Sequence, residues 1–250
     1  MGNYSSFQGR AELSQRDANG NPVGFRCPGN VSTLKLSLKT DIIEHHESQT
    51  GQRAIDLRLV KSKKASVVLT IEEFTRENLA LALYGNYINR NAGTVTGETI
   101  GGSHPVVSDH YFLNHPKISS VVIKDSALSP ATLVEGTGYT LDATFGMVAF
   151  LDIIGMTPPF KANYAYGAVT DIGIFTQIPP ELYLRFNGVN TARSNSSVIV
   201  ELYKVSFDPL KDISFISDDL NKFELDGSLL QDDTKPVDAE LGQFGRITSL

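Results

Sequence analysis

The sequence is poor in several things that narrow its function. It has one cysteine, Cys27, in 250 residues, which excludes an intramolecular disulfide framework. It has no tryptophan, the favoured stacking residue of a glycan-binding platform. No apolar run reaches the roughly 20 residues that a membrane helix needs. The opening MGNYSSFQGR has no apolar signal core. The expectation is a soluble protein folded in a reducing cytoplasm, with no membrane partner. A basic excess is missing too. Lys and Arg total 22 against 28 Asp and Glu, a net charge of -6. That argues against gripping nucleic acid along a basic face, though not against a surface past which nucleic acid slides. Charged residues make up 20% and apolar residues 41%, enough for a sizeable core.

Catalytic signals are also absent. Neither a phosphate-cradling Gly-x-x-x-x-Gly-Lys loop nor a dinucleotide fingerprint occurs. Gly101-Gly102-Ser103-His104 does not match the Gly-x-Ser-x-Gly nucleophile elbow. Cys27 precedes a proline and has no evident base. His45 and His46 are neighbours, so on a strand they point to opposite faces and cannot readily share a metal. His104, His110 and His115 are loosely spaced, and solvent-exposed loop histidines are the ordinary case. The aspartates between Asp208 and Asp238 lack calcium-loop spacing. No catalytic residue, metal or cofactor is assigned, and the expectation is a non-enzyme.

What is present is organised around Leu34–Gly85. Leu34, Leu36 and Leu38 alternate with Thr33, Lys35, Ser37 and Lys39, the period of a half-buried strand. Ala65, Val67, Leu69 and Ile71 repeat the pattern, so the two runs can pair as an antiparallel ribbon. A long polar loop, residues 40–60, is expected between them. It carries Ile42, Ile43, Ile55 and Leu57, which at an exposed apex argue for burial against something outside the domain. Over residues 35–64 seven basic and four acidic residues leave a balance of +3. A short helix follows: Thr75 can cap it, Glu77 complements its dipole, Leu79, Ala82 and Leu83 share a face, and Gly85 suits a left-handed stop.

Residues 1–30 are polar and turn-rich and read as an N-terminal arm, either disordered or ordered on a neighbouring subunit. Residues 86–110 read as a loop or flexible hairpin. Short strands are expected at 119–124, 139–142, 147–151 and 160–166, forming an inserted β subdomain at about 98–168. Strands at 181–186 and 198–207 form a hairpin, with a last strand at 222–230. The C-terminal region 208–250 is acidic. From Asp208 to Glu240, ten acidic and three basic residues give a balance of -7, a solvated face or a docking surface.

The pattern resembles the major tail tube proteins of long-tailed, non-contractile (siphovirus) bacteriophages. The resemblance lies in Glu47-Ser48-x-x-Gly51-Gln52-Arg53, Asp56-Leu57-Arg58-Leu59, Lys63-Lys64-Ala65 and Glu73-Phe74-x-x-Glu77-Asn78-Leu79-Ala80-Leu81-Ala82-Leu83-Tyr84-Gly85. It continues in Tyr139-x-Leu141-Asp142, Tyr164-x-Tyr166-Gly167, Val200-Glu201-Leu202-Tyr203, Phe207-Asp208-Pro209-Leu210 and Phe223-Glu224-Leu225-x-Gly227. The resemblance implies a mainly β fold with one flanking helix, a tail-tube-type sandwich over residues 31–250. Its strands at 33–39, 65–71, 181–186 and 198–207 would join an inter-subunit β-barrel. It implies six-membered rings stacked into a hollow virion tail, assembled in the host cytoplasm, through which double-stranded DNA passes without specific binding. Tape measure, tail terminator and baseplate or tail-tip proteins would be its partners besides further copies of itself.

In that scheme residues 40–60 reach the adjacent ring. Ile42, Ile43, Ile55 and Leu57 are buried there, while Arg53 and Arg58 meet acidic residues of a neighbour, with Asp218, Asp219, Glu224 and Asp226 as docking or lumen candidates. A ring protein of a contractile tail or secretion system, or a β-rich host- or glycan-binding virion module, are the alternatives.

Overall fold

The computed structural model describes residues 4–237 and 241–250. In chain order its elements are β1 (Phe7–Arg16), β2 (Pro22–Arg26), β3 (Val31–His46), β4 (Ile55–Ile71), α1 (Arg76–Ala82), β5 (Tyr87–Arg90), β6 (Gly93–Ile100), β7 (His110–Phe112) and β8 (Ile118–Lys124). There follow β9 (Tyr139–Asp142), β10 (Met147–Phe150), β11 (Phe160–Tyr166), β12 (Val169–Ile172), β13 (Leu182–Asn190), β14 (Ser196–Phe207), β15 (Phe223–Leu229) and β16 (Gly245–Ser249). The described residues up to Tyr87, with those from Ile172 onward, form one compact unit, and Ile88–Asp171 forms a second. The fold is mainly β, with antiparallel sheets and one helix.

The first unit is an eight-stranded sheet in the order β2-β1-β13-β14-β15-β4-β3, with β16 pairing to β14 off that path. β14 changes partner along its length. Val198–Leu202 pair with β16, and Val205–Phe207 pair with β15. The core combines Val67, Leu69 and Ile71 of β4, Leu184 of β13, Val205 and Phe207 of β14, and Phe223 and Leu225 of β15. Burying each large side chain contributes about 1.5–3 kcal/mol, so this middle section of the sheet holds the unit together. β15 alternates as its sequence dictates: Phe223, Leu225 and Leu229 are buried, while Glu224 and Ser228 are exposed. Among the described residues the sheet does not close into a barrel, because β2 and β3 are its two ends.

Residues 7–16 correct the reading of an aperiodic arm. They form β1, inside the sheet, paired with β13 from Phe7↔Asn190 to Gln15↔Leu182. Ala11 and Leu13 are buried. Only Leu13 among its buried apolar residues is large. Gly9 lies opposite Gly188, and a Cβ on Gly9 would sit 2.3 Å from the Asn187 carbonyl oxygen. Close strand approach, rather than apolar bulk, sets that stretch.

Helix α1 follows its expected start. Thr75 is the N-cap, and its side chain accepts a hydrogen bond from the Asn78 N–H at 3.2 Å. Ala82 is buried, but Leu79 and Leu83 are only half-buried, and Asn78 takes the inner position. Its amide nitrogen donates to the carbonyls of Pro28 and Glu73, at 2.7 and 2.9 Å, and its oxygen accepts from Arg26 at 2.5 Å. A fully partnered amide thus ties residues 26–28 to the helix.

The stop is shifted by one residue. Tyr84, not Gly85, takes the left-handed conformation, with φ 50°. Gly85 N–H then bonds to the Ala80 carbonyl at 2.8 Å, a Schellman closure. Two contacts explain the shift. The Tyr84 hydroxyl donates to the Phe207 carbonyl at 2.6 Å, and a Cβ on Gly85 would lie 1.8 Å from the Gly173 carbonyl oxygen.

The second unit contains two three-stranded sheets, β7-β10-β9 and β6-β11-β8, and the β5–β12 ribbon. β5 and β6 correct the reading of 86–110 as a loop or flexible hairpin: they pair with β12 and β11, not with each other. Phe150, Phe160, Val148, Ile123 and Ala162 are fully enclosed in this unit's core.

Gly85→Ala is expected to lower unfolding free energy by about 1–3 kcal/mol, the range for forcing a methyl into packed structure. Tyr84→Phe should lose about 1 kcal/mol through its missing hydrogen bond. Urea denaturation followed by circular dichroism measures both, and an unshifted Gly85→Ala midpoint would contradict the close approach.

Candidate functional site

The most distinctive surface is the far part of the β3–β4 ribbon. The two strands pair from Val31↔Ile71 to His46↔Ile55. β15, on the other edge of β4, pairs only with Ala65–Ile71. The ribbon beyond Ala65 therefore has no sheet neighbour on either edge among the described residues. Burial fades along it. Leu34 is half-buried, but Leu38 is 77% exposed.

The long polar loop expected at 40–60 is mostly strand. Ile42↔Val60, Ile43↔Leu59, Glu44↔Arg58 and His45↔Leu57 are cross-strand pairs, and successive pairs face opposite ways. Only residues 47–54 form the tip. Glu47 organises it: its carboxylate accepts from the Gln49 and Thr50 N–H groups at 2.9 Å each and from the Arg53 N–H at 3.1 Å. Those bonds hold the Glu47 carboxyl below its ordinary range, the Thr50 hydroxyl contributing most.

Of the residues singled out from sequence, Ile43, Ile55 and Leu57 are each about half exposed, and Ile42 is partly covered. Arg53 sits at the tip with φ 54°. Arg58 lies 3.7 Å from Glu44. The structure brings these side chains onto one ribbon and adds Leu38, Leu59 and Val60, all more than half exposed. The alternation Leu57-Arg58-Leu59 is the strand signal within this stretch. Lys39, Lys61 and Lys63 have no ion-pair partner among the described residues.

The acidic candidates separate. Asp218 and Asp219 are exposed in the irregular connection between β14 and β15. Glu224 is exposed on β15. Asp226 is partly covered and ion-paired with Lys211. Asp238 and Glu240, at the end of the acidic stretch, lie outside the described residues. The same connection exposes Phe215, Ile216 and Leu220, which the sequence reading did not single out.

Two further carboxylates are structural. Glu201 of β14 is buried between Arg185 of β13, at 2.9 Å, and Arg246 of β16. Burial alone pushes its carboxyl up. Hydrogen bonds from Arg246 and Tyr183 and the charges of Arg246 and Arg185 outweigh that and hold it below its ordinary value. Asp232, also buried, pairs with Arg16 at 2.7 Å. Burial again opposes ionisation, and bonds from Thr234 and Arg16 prevail. Together they fasten the last strand and the segment before it to β14 and β1.

Among the described residues, no group of three or more His, Cys, Asp and Glu side chains is placed to hold a metal ion. His45 pairs with Asp56 at 2.6 Å, and His46 contacts the Arg53 carbonyl at 2.9 Å. His115 is not a free loop residue: its ring stacks on Tyr166 with centroids 3.8 Å apart. Cys27 is exposed, and its thiol lies 3.6 Å from the Gly29 carbonyl. No helix among the described residues is long and apolar enough to cross a membrane.

A carboxyl whose folded-state pKa is depressed stabilises the fold above its unfolded pKa and loses that contribution as pH falls through the folded value. Stability should therefore fall as the pH drops below about 4.5, the ordinary glutamate value. Glu201→Gln should be less stable than wild type at neutral pH but lose less on acidification. Thermal melts at neutral pH and at roughly pH 3.5 test this; parallel losses in both proteins would rule out Glu201 as an acid-sensitive tie.

No curated protein matches the sequence. A family model does, over residues 4–248, which is nearly the whole chain. The chain thus belongs to the family described as Protein of unknown function UCP028589.

Proposed function

We propose that this protein is a structural subunit that assembles with copies of itself, and that the assembly is a tail tube of the phage type. Its rings, six-membered in the resemblance, stack into a conduit for DNA. The observation that carries the reading is the projecting β3–β4 ribbon. β3 ends the sheet with a sixteen-residue strand whose outer edge has no partner among the described residues. Exposed edges of that length and apolarity are a template for pairing with another chain. Here Leu38, Ile43, Ile55, Leu57, Leu59 and Val60 are exposed along the ribbon. A lone subunit gains little from building it; a subunit surrounded by copies buries it.

The open sheet fits the same reading. Strands β3, β4, β13 and β14, read from sequence as barrel strands, lie in one sheet with free ends at β2 and β3. A barrel completed between subunits uses both ends and removes both edges. The net charge of -6 suits a bore past which phosphates slide, because each Lys or Arg contact raises affinity for DNA.

Negative-stain microscopy of the concentrated protein is expected to show rings or tubes. Replacing the exposed cross-strand pair, Ile43→Asp with Leu59→Asp, should abolish them while leaving the circular dichroism spectrum intact. Tubes of ordinary length from that double variant, or a wild-type protein that stays monomeric at high concentration, would overturn the proposal.

A further inference from the structure

We infer that the projecting ribbon of one copy receives the acidic, apolar β14–β15 connection of the next copy, so that subunits join head to tail along the strand axis. This rests on the self-assembly reading above and specifies its partner surface.

The two surfaces occupy opposite ends of the same strand. Phe223, where the connection rejoins the sheet, pairs with Ile71 at the C-terminal end of β4. The ribbon's cations and exposed aliphatics lie toward the N-terminal end, from Lys63 to Ile55. Arg58 and Ile71 are thirteen residues apart on β4, about 40 Å at strand rise. The connection is also tied back. The Leu210 N–H bonds to the Ala82 carbonyl at 2.8 Å, and the Asn221 side chain donates to the Ser214 carbonyl at 2.9 Å. It therefore does not reach its own ribbon.

The surfaces match in two respects. The ribbon offers Lys39, Lys61 and Lys63, none in an ion pair among the described residues, beside exposed Leu57, Leu59 and Val60. The connection offers Asp212, Asp218 and Asp219, likewise without ion pairs among the described residues. Beside them Phe215 is 86% exposed, and Ile216 and Leu220 are each 97% exposed. Apolar side chains so fully presented, within an irregular stretch rimmed by carboxylates, have the composition of a docking segment. A contact between two different patches on identical chains is heterologous and propagates rather than closing as a dimer. Complementary charge sets its polarity and register.

Charge exchange tests the pairing. Asp218→Lys with Asp219→Lys, and separately Lys61→Glu with Lys63→Glu, should each raise the critical concentration for assembly roughly tenfold or more. Combining all four should restore assembly toward wild type. Phe215→Ser should weaken assembly in either charge background, and circular dichroism confirms that each variant folds. Wild-type assembly that survives both charge reversals overturns this pairing and leaves the self-assembly reading standing. So does a fourfold variant no better than the reversals alone. A wild-type protein that never assembles overturns both.

Discussion

The rest of the structure depends on a mismatch of lengths at β4. The strand has seventeen residues, and β3 pairs with nearly all of it. β15, its other neighbour, covers only its last seven, from Ala65 to Ile71. Where both neighbours are present, Val67, Leu69 and Ile71 are wholly buried and share the core with Phe223 and Leu225. Where β15 stops, the same strand is stripped of cover. A seven-residue body and a ten-residue projection therefore sit on one continuous backbone, and rigidity passes from core to projection through ladder hydrogen bonds. A flexible loop of equal length would have to be ordered on binding, at an entropic cost the ribbon has already met.

The polar interior serves a different end. Glu201 accepts from arginines on both flanking strands, and Arg16 meets Asp232 of the segment that follows β15. Breaking such a pair leaves a charge without compensation where water cannot reach it. That gives β16, a five-residue strand on a partner shared with β15, an attachment that its few backbone bonds alone would not supply. These carboxylates are consumed by the fold. Asp218 and Asp219 are not, and that difference separates structural from available acidity within one C-terminal region.

How much of this was legible depended on side-chain bulk. β11, β13 and β15 announce themselves by alternation with large apolar residues, β8 and β10 by short apolar runs, and Thr75 marks the start of the helix. β1 does not, because Ala11 and Leu13 are its only buried apolar residues and Gly9 is set by close approach to Gly188 rather than by volume. Residues 40–60 read as a loop because Lys, Asp, Glu and His interrupt their aliphatics; cross-strand pairing overrides composition on both sides of the tip. Tyr84 takes the left-handed turn ahead of the obvious glycine because tertiary contacts at Phe207 and Gly173 fix the roles of both residues. Of the candidate surface, Ile42, Ile43, Ile55 and Leu57 were visible as apolar residues in polar company. Phe215, Ile216 and Leu220 were hidden among aspartates, since only a structure reveals that nothing within the described chain covers them.

An edge sixteen residues long should stick to its own kind unless something prevents it. Lysine is the usual device, and this ribbon carries it at positions 35, 39, 61, 63 and 64. Two ribbons brought together side by side would oppose these charges, and Lys64, tied to Asp41, is the only one of the five with an ion pair among the described residues. Ribbon-to-ribbon aggregation is therefore disfavoured by the same residues that an acidic partner would neutralise. Specificity of this kind comes from a penalty against the wrong contact as much as from attraction to the right one. Were copies to join through these surfaces, the separation of the basic ribbon from the acidic β14–β15 connection would permit only one orientation of successive copies. A chain can then keep a long apolar edge open while waiting and still admit a single mode of growth.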